Sequence, residues 1–163
     1  MKTSAATIIV RISDARVSND PQVILATHSL GSCIGVAAYD PVVRIGGMLH
    51  YQLPGSEIDS SRAQQVPAMY ADTGMTLLLK QMAALGAEKR RLKIKLAGGA
   101  RMLTGSDVFD IGRRNHTAIR KFLWQQGLLI EAEEIGGTAP RHLYLRIADG
   151  AVRIKTCGVH AIL

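Results

Sequence analysis

Apolar and polar positions change period several times along this chain, and each change marks an element. β-Branched runs at 7–12 and 22–27 read as strands, separated by the turn residues Asn19-Asp20-Pro21. Residues 34–39 form a further strand closed by Asp40-Pro41, and 45–53 another closed by Pro54-Gly55. The polar stretch 56–65 reads as a surface loop. From Pro67 to just before Gly86 the period becomes helical: Met75, Leu78, Leu79, Met82 and Leu85 share one stripe. Proline suits a first helical turn and glycine the position past the last one. Residues 92–97 form a strand running into Gly98-Gly99-Ala100. A second helix covers 113–126, with Ile119, Phe122 and Leu123 on one face and Gly127 as its stop. Strands at 128–135, 142–148 and 151–157 complete the pattern, the last two joined by Asp149-Gly150, a strong hairpin signal.

Strands outnumber helices and do not alternate with them, which argues against a doubly wound parallel sheet. The pattern predicts an α/β (α+β) protein: mixed, largely antiparallel sheets covered by two or three helices. No repeat, low-complexity tract or linker interrupts it, so residues 1–163 are expected to form a single domain, long enough to bury a core. Aromatics are only 4% of the chain against 47% hydrophobic residues, so that core must be aliphatic.

The opening apolar run is short and cut by Arg11, unlike a secretory signal. No stretch approaches the roughly 18 apolar residues of a membrane span. A cytoplasmic protein without membrane insertion is expected. Its two cysteines, Cys33 and Cys157, are then expected to be free thiols. Cys157, in an alternating strand pattern, reads as a packed, buried residue. No His/Cys spacing suggests a metal, and no cofactor is expected.

The net charge of +7 predicts an acidic partner. The densest basic run, residues 89–95, makes Arg90 and Arg91 docking candidates. Few aromatics interleave with these charges and no reader motif is present, so nucleic acid is not expected.

The chemistry gathers at Leu30-Gly31-Ser32-Cys33-Ile34-Gly35. Flanking glycines permit a sharp bend that presents the thiol. A thiol becomes a nucleophile when an imidazole takes its proton, and His50 lies on the next predicted strand. Alternation there puts Leu49, Tyr51 and Leu53 on the more apolar, core-facing side and His50 on the other. Thr27 adds a hydroxyl that would orient the imidazole. His50 is expected to draw the thiol proton, giving a thiolate–imidazolium pair. Backbone amides at Gly31, Ser32 and Cys33 are the natural oxyanion donors.

Thr27-x-x-Leu30-Gly31-Ser32-Cys33-Ile34-Gly35-Val36, Tyr39-Asp40-Pro41, Gly46-Gly47-Met48-Leu49-His50 and Leu53-Pro54 resemble the CheD family of chemoreceptor glutamine deamidases. The similarity continues at Tyr70-Ala71-Asp72, Ala97-Gly98-Gly99-Ala100-x-Met102 and Ile111-Gly112-Arg113-Arg114-Asn115. The resemblance implies a three-layer fold shared with certain bacterial toxin deamidases. It also implies a Cys33 nucleophile, a His50 base and a Thr27 that orients the base. The implied substrate is the cytoplasmic helical region of methyl-accepting chemotaxis receptors, with a CheC-type phosphatase as a further partner. A non-catalytic adaptor or phosphatase regulator on the same fold is the alternative. Two departures stand out. His28-Ser29 occupies positions that are often small or glycine in the family, and His28 is expected to face solvent. Pro140-Arg141 replaces a Gly-Arg pair. Met102-Leu103 reads equally well as an apolar docking tip or as core packing beneath the second helix.

Overall fold

The computed structural model describes residues 5–102 and 109–163. Its centre is a pair of strands apolar on both faces, β4 (Ile34–Asp40) and β5 (Ile45–Tyr51), every residue of which is buried. A strand buried on both sides must be covered on both sides. They lie in a five-stranded sheet ordered β2 (Asp14–Ser18), β5, β4, β6 (Lys93–Gly98), β7 (Ile130–Ile135). On one face, Val36, Ala38, Leu49 and Tyr51 meet Met75, Leu78 and Met82 of α2 (Ala71–Ala84) and Ile119 and Leu123 of α3 (Ile111–Gln125). On the other, Ala37, Tyr39 and Met48 meet Leu25, Leu143, Leu145 and Ile154 of a second five-stranded sheet. That sheet runs β1 (Ala6–Ile9), β3 (Val23–Leu30), β8 (Arg141–Arg146), β9 (Val152–Thr156), β10 (Val159–Ile162). The layers are therefore β1-to-β10 sheet, β2-to-β7 sheet, helices. Among the described strands, β1–β3 and β6–β7 pair in parallel and the other ladders are antiparallel.

The mixed-sheet expectation holds, as does the β8–β9 hairpin at Asp149-Gly150, where Gly150 has φ 73°. Three local expectations do not. Residues 56–65 are helical for the most part: a 3₁₀ turn at Ser56–Ile58 precedes α1 (Ser60–Gln65), which is capped by Asp59 and buries only Ala63. The predicted run 7–12 breaks at Val10, and β2 starts afresh at Asp14. Cys157 is not a buried strand residue: β9 ends at Thr156, and Cys157 is exposed in the turn to β10 with φ 49°. Asp40, by contrast, is fully buried and structural. Burial alone would push its carboxyl up, but Arg91 and the amides of Glu88 and Val42 hold it below its ordinary value.

Candidate active site

The site forms where β3 hands over to β4, at one end of the inter-sheet layer. β3 slips its register with β8 between Thr27 and Leu30, and Ser29 takes a left-handed φ of 57° there. Such a bulge bends a strand and re-aims the residues beyond it. The Gly31 amide donates to the Ser29 carbonyl at 3.0 Å. The end of β6 closes the bend from the other side: the amides of Gly99 and Ala100 donate to the carbonyls of Cys33 and Gly31 at 2.9 and 2.8 Å. Gly98, at φ +113°, passes so close that a Cβ there would lie 2.2 Å from the Cys33 carbonyl oxygen. Only glycine permits that approach.

Cys33 packs against the inter-sheet cluster. His50 pairs with Gly35 across the β4–β5 ladder, so it sits opposite a residue two positions along the chain from Cys33. The even positions of β5 thus face the β1-to-β10 sheet, not a solvated side, and His50 is only 4% exposed. Thr27 reaches it from β3. Thr27 Oγ1 lies 2.7 Å from His50 Nδ1 and donates to the Val10 carbonyl at 2.7 Å. A hydroxyl has one proton, and a carbonyl can only accept. Thr27 therefore accepts from Nδ1–H, and the lone pair of His50 sits on Nε2. That nitrogen is buried without a hydrogen-bond partner among the described residues.

Burial lowers the His50 pKa to about 4. Burial also raises the Cys33 thiol, only partly offset by its own amide. Burial thus favours the neutral form of each group and works against the expected thiolate–imidazolium pair. Of the expected oxyanion donors, Gly31 is engaged by Ser29. The amides of Ser32 and Cys33 have no backbone acceptor among the described residues.

Asn115, on α3, ties these pieces together. It is fully buried, and its Nδ2 donates to the carbonyls of Ser32 at 2.9 Å and Gln52 at 2.7 Å. Tyr51 donates its hydroxyl proton to the Asn115 backbone carbonyl at 2.6 Å. The sequence pattern places Asn115 within a motif and gives it no role. The signal that could have found it was a poor helix former placed inside an otherwise amphipathic helix.

An open groove of about 390 Å³ leads to His50, with Ile9, Val10, Arg11 and Ile12 along one side and His28 and Ser29 along the other. His28 is exposed, as expected, and its Nδ1 lies 3.0 Å from Nδ1 of His142. Met102 lies over the bend: a Cβ on Gly31 would meet its Sδ at 3.0 Å. Leu103 lies outside the described residues. Arg91 is bound to Asp40 and Glu88, and Arg90 to Glu88. Both arginines sit by the Asp40 end of β4, opposite the end that carries Cys33.

Residues 52–156 match the family model for CheD chemotactic sensory transduction. The chain belongs to the CheD family. It is 48% identical over 93% of its length to the "Probable chemoreceptor glutamine deamidase CheD" of Solibacter usitatus, covering 89% of that protein. A CheD from Syntrophus aciditrophicus is 46% identical, with 93% of this chain and 94% of that one covered. Among solved structures, the Bacillus licheniformis hypothetical protein YfiH superposes with a TM-score of 0.47 at 13% identity, covering 74% of this chain and about half (49%) of that one. Among the described residues of this CheD chain, no helix is long and apolar enough to cross a membrane. No group of three or more His, Cys, Asp or Glu there is arranged to hold a metal.

Proposed function

We propose that this chain is a protein-glutamine deamidase that converts glutamines of chemoreceptors to glutamates in the cytoplasm, with Cys33 as nucleophile, His50 as base and Thr27 as its orienter. The observation that carries the reading is the hydrogen-bond chain Val10–Thr27–His50, which holds the imidazole with an unpartnered, buried Nε2 on the strand that pairs with the residues just after Cys33. It stands in a chain whose relatives are named for this activity.

The chemistry follows from the neutral pair. As Sγ attacks the carboxamide carbon, the thiol proton moves to Nε2 and the carbonyl π pair moves onto oxygen. Proton transfer concerted with attack avoids a free thiolate in a buried site. The amides of Ser32 and Cys33 face the developing oxyanion in this reading. Collapse expels ammonia, which takes the proton from the imidazolium, and a thioester remains. Water then adds as Nε2 accepts its proton. The C–S bond breaks, the sulfur regains the proton, and a glutamate side chain is left. Met102, partly exposed with its sulfur packed on the bend at Gly31, supports contact with the substrate or with a CheC-type phosphatase at the same mouth.

The test is the intact mass of a chemoreceptor signalling fragment before and after incubation. Each site gains about one dalton as NH₂ is replaced by OH. Cys33→Ala is expected to abolish the gain and Cys157→Ala to keep it. Full activity of Cys33→Ala would overturn the reading.

A further inference from the structure

The outer face of the β1-to-β10 sheet is uncovered: α2 and α3 pack on the other sheet, and no helix among the described residues lies on this one. Its charge is one-sided. The five strands β1, β3, β8, β9 and β10 contain no Asp or Glu, whereas the β2-to-β7 sheet holds Asp14, Asp40, Glu131, Glu133 and Glu134. Because Leu25, Leu143, Leu145, Val152 and Ile154 point into the inter-sheet core, the alternate positions point outward. The ladder register lines up His142, Lys155 and His160 in one row, and Ala26, Tyr144 and Arg153 in the next.

Arg146 is neutralised by Asp149, but Arg153 and Lys155 have no ion-pair partner among the described residues. A hollow of about 190 Å³ opens on this face, floored by Ile24 and Tyr144 and rimmed by Arg146, Arg153 and His160. The face adjoins the groove that leads to His50 through His28, which lines that groove and contacts both His142 and Tyr144.

We infer that this face docks a polypeptide segment carrying carboxylates at a distance from the reacting glutamine, so that glutamates made by earlier turnovers help to hold the substrate for later ones. The inference rests on the proposed deamidase activity. Each turnover replaces a neutral carboxamide with a carboxylate, so the segment grows more acidic as it is modified. Unpaired cations beside the groove then attract the product of one site while the next glutamine reacts. Two strand spacings, roughly 10 Å, separate the His28 strand from β9. A helix covers about that distance in seven residues. Substrate carboxylates one or two such repeats from the target therefore reach Arg153 and Lys155. Nucleic acid is the poorer fit, since Tyr144 is the one Phe, Trp or Tyr in these five strands and successive bases would find no stacking ladder.

The experiment uses a soluble chemoreceptor signalling fragment with one reactive glutamine. It is prepared with either Glu or Gln at positions seven and eleven residues away on the same helical face. The Glu form is expected to show a kcat/KM about three- to tenfold higher at low salt, the range two exposed ion pairs supply. The advantage should shrink at high salt. Arg153→Glu with Lys155→Glu should remove or invert it, while Lys80→Glu on α2 should leave it unchanged. Equal rates on the two fragments overturn the inference and leave the deamidase reading intact. Absence of deamidation on every fragment sinks the deamidase reading itself. Inhibition by a single-stranded oligonucleotide that the double variant abolishes overturns the inference in favour of a nucleic-acid surface.

Discussion

Thr27 Oγ1 carries one proton, the Val10 carbonyl takes it, and so the imidazole of His50 is held with its own proton on Nδ1. Thr27→Val removes the acceptor while keeping the shape. The ring is then free to place its proton on Nε2, where it blocks base function. Deamidation kcat is expected to fall by roughly 10²-fold or more, by analogy with other wrong-tautomer variants, and Thr27→Ser should restore most of it. A neutral resting pair, the form that burial favours, has its own signature. Iodoacetamide reacts with thiolate, and burial holds the Cys33 thiol above its ordinary value. Alkylation of Cys33 should therefore stay slow at neutral pH and climb only in strongly alkaline buffer. A fast plateau extending down toward pH 4 would mean that a preformed ion pair exists after all. At this scale the sequence is most informative: the glycine-flanked cysteine and the strand histidine announce themselves locally. The direction in which His50 points is not legible from strand alternation, because both faces of β5 are buried.

Among the elements, α3 couples the two halves of the site through one side chain. Asn115 gives both of its amide protons to carbonyls, one on the cysteine bend and one just past β5. Asn115→Ala leaves those buried acceptors unpaired, a loss on the order of 2–4 kcal/mol. It also loosens the bend against the base, and misplacement of about 1 Å can cost up to about 10²-fold in rate. Steady-state kinetics should show the drop in kcat with KM largely held, and Asn115→Asp, isosteric but without the donors, should behave alike. A rate unchanged in both variants would reduce the clamp to a packing contact. No local pattern reveals this link, since it depends on where α3 lands against two strands distant in sequence. The same holds for the elements the pattern misses. Helix α1 buries one residue and so shows no apolar period. Strand β10 is exposed along its whole length, and exposure erases the alternation that marks a strand.

For the molecule as a whole, the neutral burial of His50 makes stability depend on pH in a defined window. Its pKa is about 4 in the folded chain against an ordinary 6.5. The unfolded chain therefore takes up a proton between those values and the folded chain does not. Stability is full above pH 6.5 and falls as the pH drops toward 4, by about 3 kcal/mol in total at 1.36 kcal/mol per unit. Urea midpoints at pH 7 and pH 4.5 should show the slope in wild type, and His50→Gln should flatten it. Asp40, held low by Arg91, adds its own loss only at lower pH.

The layered arrangement has a consequence for the nascent chain. His50 and Asn115 belong to the β2-to-β7 sheet and its helices, Cys33 lies in the bend between the two sheets, and Thr27 and Val10 come from the β1-to-β10 sheet and its edge. A chain in which only the helices and their own sheet were packed would hold His50 without the hydroxyl that sets its tautomer. The Thr27–His50 hydrogen bond forms only when the two sheets dock, since it joins residues 23 apart in sequence across them. Under the proposed mechanism, a molecule whose sheets have come apart is expected to turn over no faster than Thr27→Val, so deamidation reports on the docked state.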